Sequence, residues 1–197
     1  IYSLILRKTT NLAVCVSKTM EEDLKQQCHF DKTCVVINGI ETSLYANLSP
    51  QYRTEWRDKL GVQSQEIMFL NVGSFNRPKG QDVLLRAWKD VADRFPQAKL
   101  FLVGSQMPRD PDSPIFEQEL HELVSKLNIE KSVTFLGWRD DIKELLAAAD
   151  GYVHSGIREG SSLTLSILEA MASATPVIMT DCAGCPPEFE NEKDFII

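Results

Sequence analysis

The sequence predicts an α/β protein built on a doubly wound parallel sheet. Short runs of apolar residues, which are typical of strands buried on both faces, alternate with amphipathic stretches of helical period. The composition, with 43% hydrophobic and 25% charged residues, is ordinary for a globular domain. Strands that alternate with helices favour a parallel sheet covered by helices on both faces.

The first part of the chain contains one strand–helix–strand unit and then a linker. Residues 12–17 and 34–37 are apolar and are predicted to be buried strands, with an amphipathic helix at 18–27 between them. A turn signal, Asn38-Gly39, follows, and residues 41–50 show little periodicity. We therefore predict a domain boundary near residues 39–50, which makes 1–40 the tail end of one domain and 41–197 a second domain.

The second part alternates regularly from residue 52 onward. A short helix is predicted at 52–60, a strand at 67–73, and a helix at 82–95 whose apolar residues, such as Leu84 and Trp88, lie on one face. The remaining strands are predicted at 99–104, 132–137, 151–154 and 176–180, and the helices between them at 114–127, 141–149 and 163–174.

Charge and motif content argue against several classes of protein. The net charge of −7 is spread along the chain without a basic stripe, so no nucleic-acid partner is expected. No apolar run approaches the ~20 residues that cross a bilayer. The absence of Gly-x-Gly-x-x-Gly and of P-loop spacing disfavours a nicotinamide dehydrogenase and a P-loop nucleotidase. Five cysteines, an odd number, fit free thiols in a reducing, cytoplasmic setting. Cys182 and Cys185 have the spacing of a redox motif, but they follow a strand in a Gly/Pro turn, whereas that motif belongs at a strand-to-helix turn.

The loop after strand 67–73 carries two cations into the start of a helix. Ligands of a doubly wound sheet lie beyond the carboxyl ends of its strands. Gly73 and Ser74 open this loop, and Arg77 and Lys79 add positive charge to the unpaired amides of the helix N-terminus. This combination suits a diphosphate. The residues alone leave open a second interpretation, in which both cations are merely solvated.

The loop after strand 151–154 leads to a second set of candidates. Glu159 and Gly160 occupy the position where a ligand of the sheet would lie, and Ser161 and Ser162 are good helix caps. Glu169 is the one acid in an otherwise apolar helix, and a carboxylate there needs a partner. Ribose hydroxyls would serve. The alternative is that Glu159 accepts bonds from loop amides while Glu169 pairs with a cation.

These residues match a known family. Glu159-Gly160-Ser161, together with Leu168-Glu169-Ala170-Met171-Ala172 and the strand after it, resembles the signature of GT-B glycosyltransferases of the large retaining "family four" type. The resemblance runs in register from about Leu12. It implies two Rossmann-like domains: residues 1–40 would be a remnant of the N-terminal acceptor domain with the hinge, and 41–197 the donor-binding domain, truncated before its closing C-terminal helix.

The resemblance also implies roles for the site residues. Lys79 would contact the donor diphosphate, and Glu159 would face the donor sugar or its developing charge, so these two are the predicted catalytic residues. Glu169 would bind the ribose hydroxyls, and no metal or other cofactor is expected. The other predicted donor-binding residues are the phosphate-loop residues Gly73, Ser74 and Arg77, the base-pocket residues Gly137, Trp138 and Arg139, and Gly160, Ser161, Ser162 and Leu163, whose amides would hold sugar and phosphate.

The implied activity is transfer of a hexosyl or N-acetylhexosaminyl group, with retention of configuration, from a UDP-, GDP- or ADP-sugar to a glycan or lipid-linked acceptor. Cell-surface polysaccharide biosynthesis would be its setting, in the cytoplasm or at the cytosolic face of a membrane contacted through the acceptor domain. The resemblance also implies that transfer takes place in the cleft between the two domains, which together hold the reactants in place. These 197 residues are therefore expected to bind donor yet catalyse poorly.

Two departures from the family pattern keep other functions open. Nine residues separate Glu159 from Glu169 where the family usually has seven, and Ser74 stands where arginine is common. A degenerate, non-catalytic nucleotide-binding or interaction domain is therefore one alternative. The other is a GT-B type UDP-sugar epimerase, which shares the architecture but lacks the Glu-Ala-Met-Ala helix pattern.

Overall fold

The computed structural model describes residues 8–45, 49–157, 164–181 and 196. Within these ranges the strands are β1 (Ala13–Cys15), β2 (Thr33–Val35), β3 (Ile67–Val72), β4 (Ala98–Val103), β5 (Val133–Gly137), β6 (Gly151–His154) and β7 (Val177–Met179). The helices are α1 (Lys18–Cys28), α2 (Pro50–Lys59), α3 (Gln81–Arg94), α4 (Ser113–Leu127), α5 (Ile142–Ala148) and α6 (Leu165–Ala172), with single 3₁₀ turns at Thr42–Leu44 and Arg77–Lys79.

The main sheet has five parallel strands in the order β5-β4-β3-β6-β7. The chain starts at the central strand β3, builds outward through β4 and β5, and then crosses back over β3 to place β6 and β7 on its other side. β1 and β2 pair separately as a two-stranded parallel sheet around α1. The predicted α/β class with a doubly wound parallel sheet is confirmed.

Two apolar layers cover the two faces of this sheet. On one face, Met68 and Leu70 of β3 pack with residues of α5 and α6, and side chains of α2 cover that cluster. On the other face, Leu100 and Leu102 of β4 pack against α3 and α4. These four side chains are fully buried, and each contributes about 1.5–3 kcal/mol by leaving water. Burial on both faces explains why the strands are continuous apolar runs.

Helix boundaries follow local capping. The Ser17 hydroxyl accepts the Met20 N–H at 3.1 Å and starts α1. The Ser49 hydroxyl accepts the Tyr52 N–H at 3.2 Å, and Pro50 occupies the first turn, where its missing N–H does no harm. α2 therefore begins two residues earlier than the apolar periodicity predicts, because the cap and not the periodicity sets its start.

The amino-terminal edge of the sheet is held by an arginine–aspartate network. Asp150, just before β6, accepts bonds from Arg57 Nη1 at 2.9 Å, from Arg53 Nη2 and from the Met68 N–H at 2.7 Å. The same arginines bind the main-chain oxygens of Ala147, Ala148 and Ala149 at the end of α5. This network fixes α2 to α5 and to the start of β3.

The linker predicted at 41–50 contains the 3₁₀ turn Thr42–Leu44 and, after it, Tyr45, which packs against the buried cluster of β3, α5 and α6. The division of the chain into 1–40 and 41–197 stays a prediction. Of the helices that the structure describes, none is both long and apolar enough to cross a bilayer.

Candidate functional site

The strand order reverses between β3 and β6, which makes this the switch point at the carboxyl edge of the sheet. In doubly wound sheets this switch point is where ligands bind. The loop after β3, residues 73–80, and the loop after β6, which begins at Ser155, both leave the sheet here. The two segments predicted to bind the ligand therefore follow neighbouring strands of the sheet.

The loop after β3 is shaped by its own side chains. Asn76 caps the turn Arg77–Lys79, because its Oδ1 accepts the Lys79 N–H at 3.3 Å. Its Nδ2 donates to the Ser74 hydroxyl at 3.1 Å, and Gln81 Nε2 donates to the Ser74 carbonyl at 3.0 Å. These bonds could not be predicted from the sequence, although Asn76 and Gln81, both buried, are polar residues that flank the predicted phosphate residues.

The loops after β3 and β6 are joined by two hydrogen bonds to main-chain carbonyls. The Ile157 N–H donates to the Pro78 carbonyl at 2.9 Å, and the Ser155 hydroxyl donates to the Lys79 carbonyl at 2.9 Å. Gly80 has a φ of +63°, and a Cβ there would lie 2.1 Å from the main-chain carbonyl oxygen of Ser155. This close approach requires glycine, so Gly80 sets the spacing of the two loops.

Lys79 lies with its stem across the start of the loop. Its Cδ is 3.7 Å from the position that a Cβ on Gly73 would occupy. Since Gly73 directly follows β3, the half-buried lysine runs back toward the carboxyl end of the central strand. Its contact with a diphosphate stays a prediction.

Arg77 has other partners. Its Nε lies 2.7 Å from Asp112 Oδ2 and its Nη1 2.9 Å from Glu119 Oε2 of α4, and the guanidinium stands over the ring of Phe116. Glu119 and Asp112 raise the pKa of Arg77. The side chain is about half exposed. A diphosphate would have to compete with two carboxylates for Arg77, so the predicted contact would require Arg77 to leave them.

Of the three predicted base-pocket residues, Gly137 ends β5, and Trp138 and Arg139 follow it at the same edge of the sheet. The Gly137 carbonyl accepts the Gly104 N–H at 2.9 Å. Trp138 is 71% exposed, and its indole offers a broad flat surface. Arg139 Nε binds Asp141 Oδ1 at 2.8 Å, and this pair raises the pKa of Arg139 and lowers the pKa of Asp141. Their role at a base stays a prediction.

Glu169 lies half-buried on α6, where the Tyr45 hydroxyl donates to its Oε1 at 2.9 Å. Burial, and then the Glu169 carboxylate, raise the pKa of Tyr45 to about 12. Sequence reasoning missed Tyr45, because it lies in a stretch without periodicity, 124 residues from its partner. The bond to Tyr45 does not test whether Glu169 contacts the ribose, so that contact stays a prediction.

The remaining predicted residues, Glu159, Gly160, Ser161, Ser162 and Leu163, lie outside the described residues. Their predicted roles at the donor sugar stay predictions.

One Asp-x-Asp pair, Asp110-Pro111-Asp112, follows β4. Asp110 Oδ1 accepts the Asp112 N–H at 3.1 Å, while the Asp112 carboxylate binds Arg77. Within the part of the chain that the structure describes, no three His, Cys, Asp or Glu side chains come together as metal ligands. The expectation that no metal takes part stays a prediction.

Comparison with known proteins shows which family the chain belongs to. A family model described as Glycosyl transferases group 1 matches residues 52–197. Among curated proteins, Uncharacterized glycosyltransferase MJ1059 of Methanocaldococcus jannaschii is 30% identical over 89% of this chain and 41% of its own length. Lipopolysaccharide glucosyltransferase WaaG of Escherichia coli is 31% identical over 71% of this chain and 36% of its own. The chain thus spans less than half the length of these relatives.

Solved structures agree in fold. HepE of Anabaena, crystallised with UDP and glucose, superposes with a TM-score of 0.82 at 27% identity, over 92% of this chain and 47% of that one. The crystal structure of WaaG superposes with a TM-score of 0.74 at 26% identity, over 87% of this chain and 44% of that one.

Proposed function

This chain belongs to the family of glycosyl transferases group 1, and from that premise we propose that it is the donor-binding half of an enzyme that transfers a sugar from a nucleoside-diphosphate sugar with retention of configuration. The observation that carries the proposal is the meeting of the loops after β3 and β6 at the switch point of the sheet. The first of these loops brings Lys79, and the second leads into the helix of Glu169.

The chemistry of the edge residues fits such a donor. In the proposal, Lys79 and the amides of the neighbouring helix start meet the negative charge that grows on the leaving diphosphate. Glu169 accepts the ribose hydroxyls, and the exposed Trp138 contributes a flat face beside the base. The part assigned to Glu159, opposite the developing charge of the sugar, rests on its position in the sequence pattern.

The similar structure of HepE supports a nucleoside diphosphate as ligand, since that protein was crystallised with UDP and glucose. UDP is therefore the first nucleotide to test. The relatives found are glycosyltransferases, which does not favour the epimerase alternative. A glycan or lipid-linked acceptor, and a place in the cytoplasm or at the cytosolic face of a membrane, are proposals for the whole protein. They are supported by the similarity to one relative, a lipopolysaccharide glucosyltransferase.

The test is calorimetric titration of the chain with UDP, GDP and ADP and with their glucose, mannose and N-acetylglucosamine forms. We expect one nucleotide class to bind. Lys79→Ala and Glu169→Ala should each weaken binding about tenfold or more, because each removes a hydrogen bond to or from a charged group.

Two matched variants control for nonspecific effects. Lys89→Ala removes a lysine that pairs with Asp93 on the exposed face of α3, and Glu144→Ala removes a carboxylate that, like that of Glu169, accepts a tyrosine hydroxyl at 2.9 Å. Both should leave affinity unchanged. A folded chain that binds no nucleotide, or one whose affinity is the same in all four variants, would contradict the donor-site proposal.

A further inference from the structure

We propose that Tyr45 is a positioning residue that holds the Glu169 carboxylate in the orientation needed to accept the ribose hydroxyls of the donor nucleotide. This inference rests on the proposed function and adds a residue that neither the motif nor the family resemblance points to.

Both the main chain and the side chain of Tyr45 are held in place. Its N–H donates to the Thr42 carbonyl at 3.0 Å, which closes the 3₁₀ turn before it. Its side chain packs against the buried cluster that includes Ile167 and Ala170 of α6. The hydroxyl then reaches Glu169 Oε1 at 2.9 Å. A tyrosine held by backbone and packing gives its hydroxyl a defined direction.

The bond leaves Glu169 able to bind a ligand. A carboxylate offers about four acceptor positions on two oxygens, and the Tyr45 hydroxyl takes one of them on Oε1. Of the residues that the structure describes, Tyr45 is the one that bonds to this carboxylate. Oε2 retains its acceptor capacity, so tyrosine and a ribose hydroxyl can be bound together.

The benefit is preorganisation. A glutamate side chain has several rotatable bonds and loses their freedom when it binds a ligand. Tyr45 fixes the carboxylate before binding, so less freedom is lost on association. The pKa of Tyr45, raised to about 12, keeps its hydroxyl protonated, and so a donor, throughout the neutral range.

The structure supplies a matched control. The Tyr52 hydroxyl donates to Glu144 Oε1, also at 2.9 Å, between α2 and α5. Tyr52→Phe therefore removes the same kind of bond from Glu144, a carboxylate near enough to help raise the pKa of Tyr45 but with no predicted contact to the ribose. In both variants the phenylalanine keeps the ring that packs.

The experiment measures the affinity of wild type, Tyr45→Phe and Tyr52→Phe for UDP and for 2′,3′-dideoxy-UDP, or the corresponding pair if GDP or ADP is the nucleotide bound. We expect Tyr45→Phe to weaken UDP binding about fivefold, the factor lost with one hydrogen bond, while binding of the dideoxy analogue stays at the wild-type value. Tyr52→Phe should change neither.

Equal weakening of both nucleotides by Tyr45→Phe would overturn the proposal and assign Tyr45 a purely structural role. Unchanged or tighter UDP binding would also overturn it, the latter because it would mean that Tyr45 competes with the ribose. If wild type binds no nucleotide, the proposed function fails, and the role of Tyr45 fails with it. If wild type binds and only the Tyr45 pattern is absent, the proposed function stands alone.

Discussion

The amino and carboxyl edges of the five-stranded sheet, where its strands begin and end, both carry charged and polar residues. The two edges differ in how many partners these residues have within the chain. At the amino edge, the Asp150 carboxylate accepts from Arg53, from Arg57 and from the Met68 N–H, and the arginines also bind main-chain oxygens. At the carboxyl edge, the loops after β3 and β6 approach each other closely at Gly80 and the Ser155 carbonyl, and the Ser155 hydroxyl donates to the Lys79 carbonyl.

The difference shows that the function of a charged group is better predicted from its partners in the structure than from its presence in the sequence. Asp150 is bound on both oxygens from within the chain, which suits a stabilising role. From the residues that the structure describes, Glu169 accepts one bond, that of the Tyr45 hydroxyl, and retains acceptor capacity, while Trp138 is exposed. A residue that still has room for a partner at a switch point is the better candidate for ligand binding.

The largest effect that separates the edges is expected from Gly80→Ala. The backbone at Gly80 is left-handed, which strains any alanine there. The new Cβ would also lie 2.1 Å from the carbonyl oxygen of Ser155 and would force the loops after β3 and β6 apart. We expect a loss of about 3 kcal/mol or more in the free energy of unfolding, and loss of nucleotide binding at temperatures where the variant is folded. Chemical denaturation and calorimetric titration measure the two effects.

Gly61→Ala is the matched control for Gly80→Ala. Gly61 has a similar φ of +71°, but a Cβ there would meet nothing within 4 Å. It should lose only about 1 kcal/mol for the unfavourable backbone conformation, with nucleotide affinity intact. Equal effects of the two variants would mean that the contact between the loops does not determine the site.

A smaller effect, confined to stability, is expected from Asp150→Ala. The variant removes the carboxylate that pairs with Arg57, whose side chain is 11% exposed and keeps its main-chain acceptors, and it takes away the side-chain acceptor of the Met68 N–H. Because Asp150 itself is about a third exposed, we expect a loss of about 2 kcal/mol, at the low end for a broken buried ion pair. Thermal unfolding measures it, and nucleotide affinity should be unchanged.

Asp90→Ala, on the exposed face of α3, serves as the control for Asp150→Ala and should alter the melting temperature little. If Asp150→Ala weakens nucleotide binding while the variant is fully folded, the separation between a stabilising edge and a binding edge is wrong.

The smallest effect is expected from Arg77→Ala. Its exposed pairs with Asp112 and Glu119 contribute little to stability, and they compete with any diphosphate. We expect less than about a threefold change in nucleotide affinity, well below the effect of Lys79→Ala. Titration under the same conditions decides this, and a loss as large as that of Lys79→Ala would show that Arg77 leaves its carboxylates for the ligand.

The sequence predicted the elements of the sheet well because their pattern is local. Strand 151–154 is found at Gly151–His154, and the helix predicted at 114–127 is found at Ser113–Leu127. Apolar period and flanking turns are enough for such elements, since burial on both faces imposes the pattern directly.

Contacts between distant side chains were beyond the reach of that pattern. The Tyr45–Glu169 bond joins residues 124 apart, and the Arg77–Glu119 bonds join residues 42 apart. No local period encodes either one. Arg77 could be predicted to lie in the loop after β3, but its partners depend on how α4 packs beside that loop. The sequence was therefore enough to predict which residues lie at the carboxyl edge of the sheet. It was not enough to predict which of their side chains have partners within the chain.

The anchoring of α2 also has a consequence for the order of events during synthesis. Arg53 binds Asp150, which is made 97 residues later. At about 5–20 residues per second, the ribosome needs roughly 5–20 s to produce that partner. Throughout this time α2 has neither Asp150 nor the alanine carbonyls of α5 to bind. The nascent chain therefore carries a helix whose two arginines lack these partners, and its full attachment has to wait until α5 and Asp150 have been made.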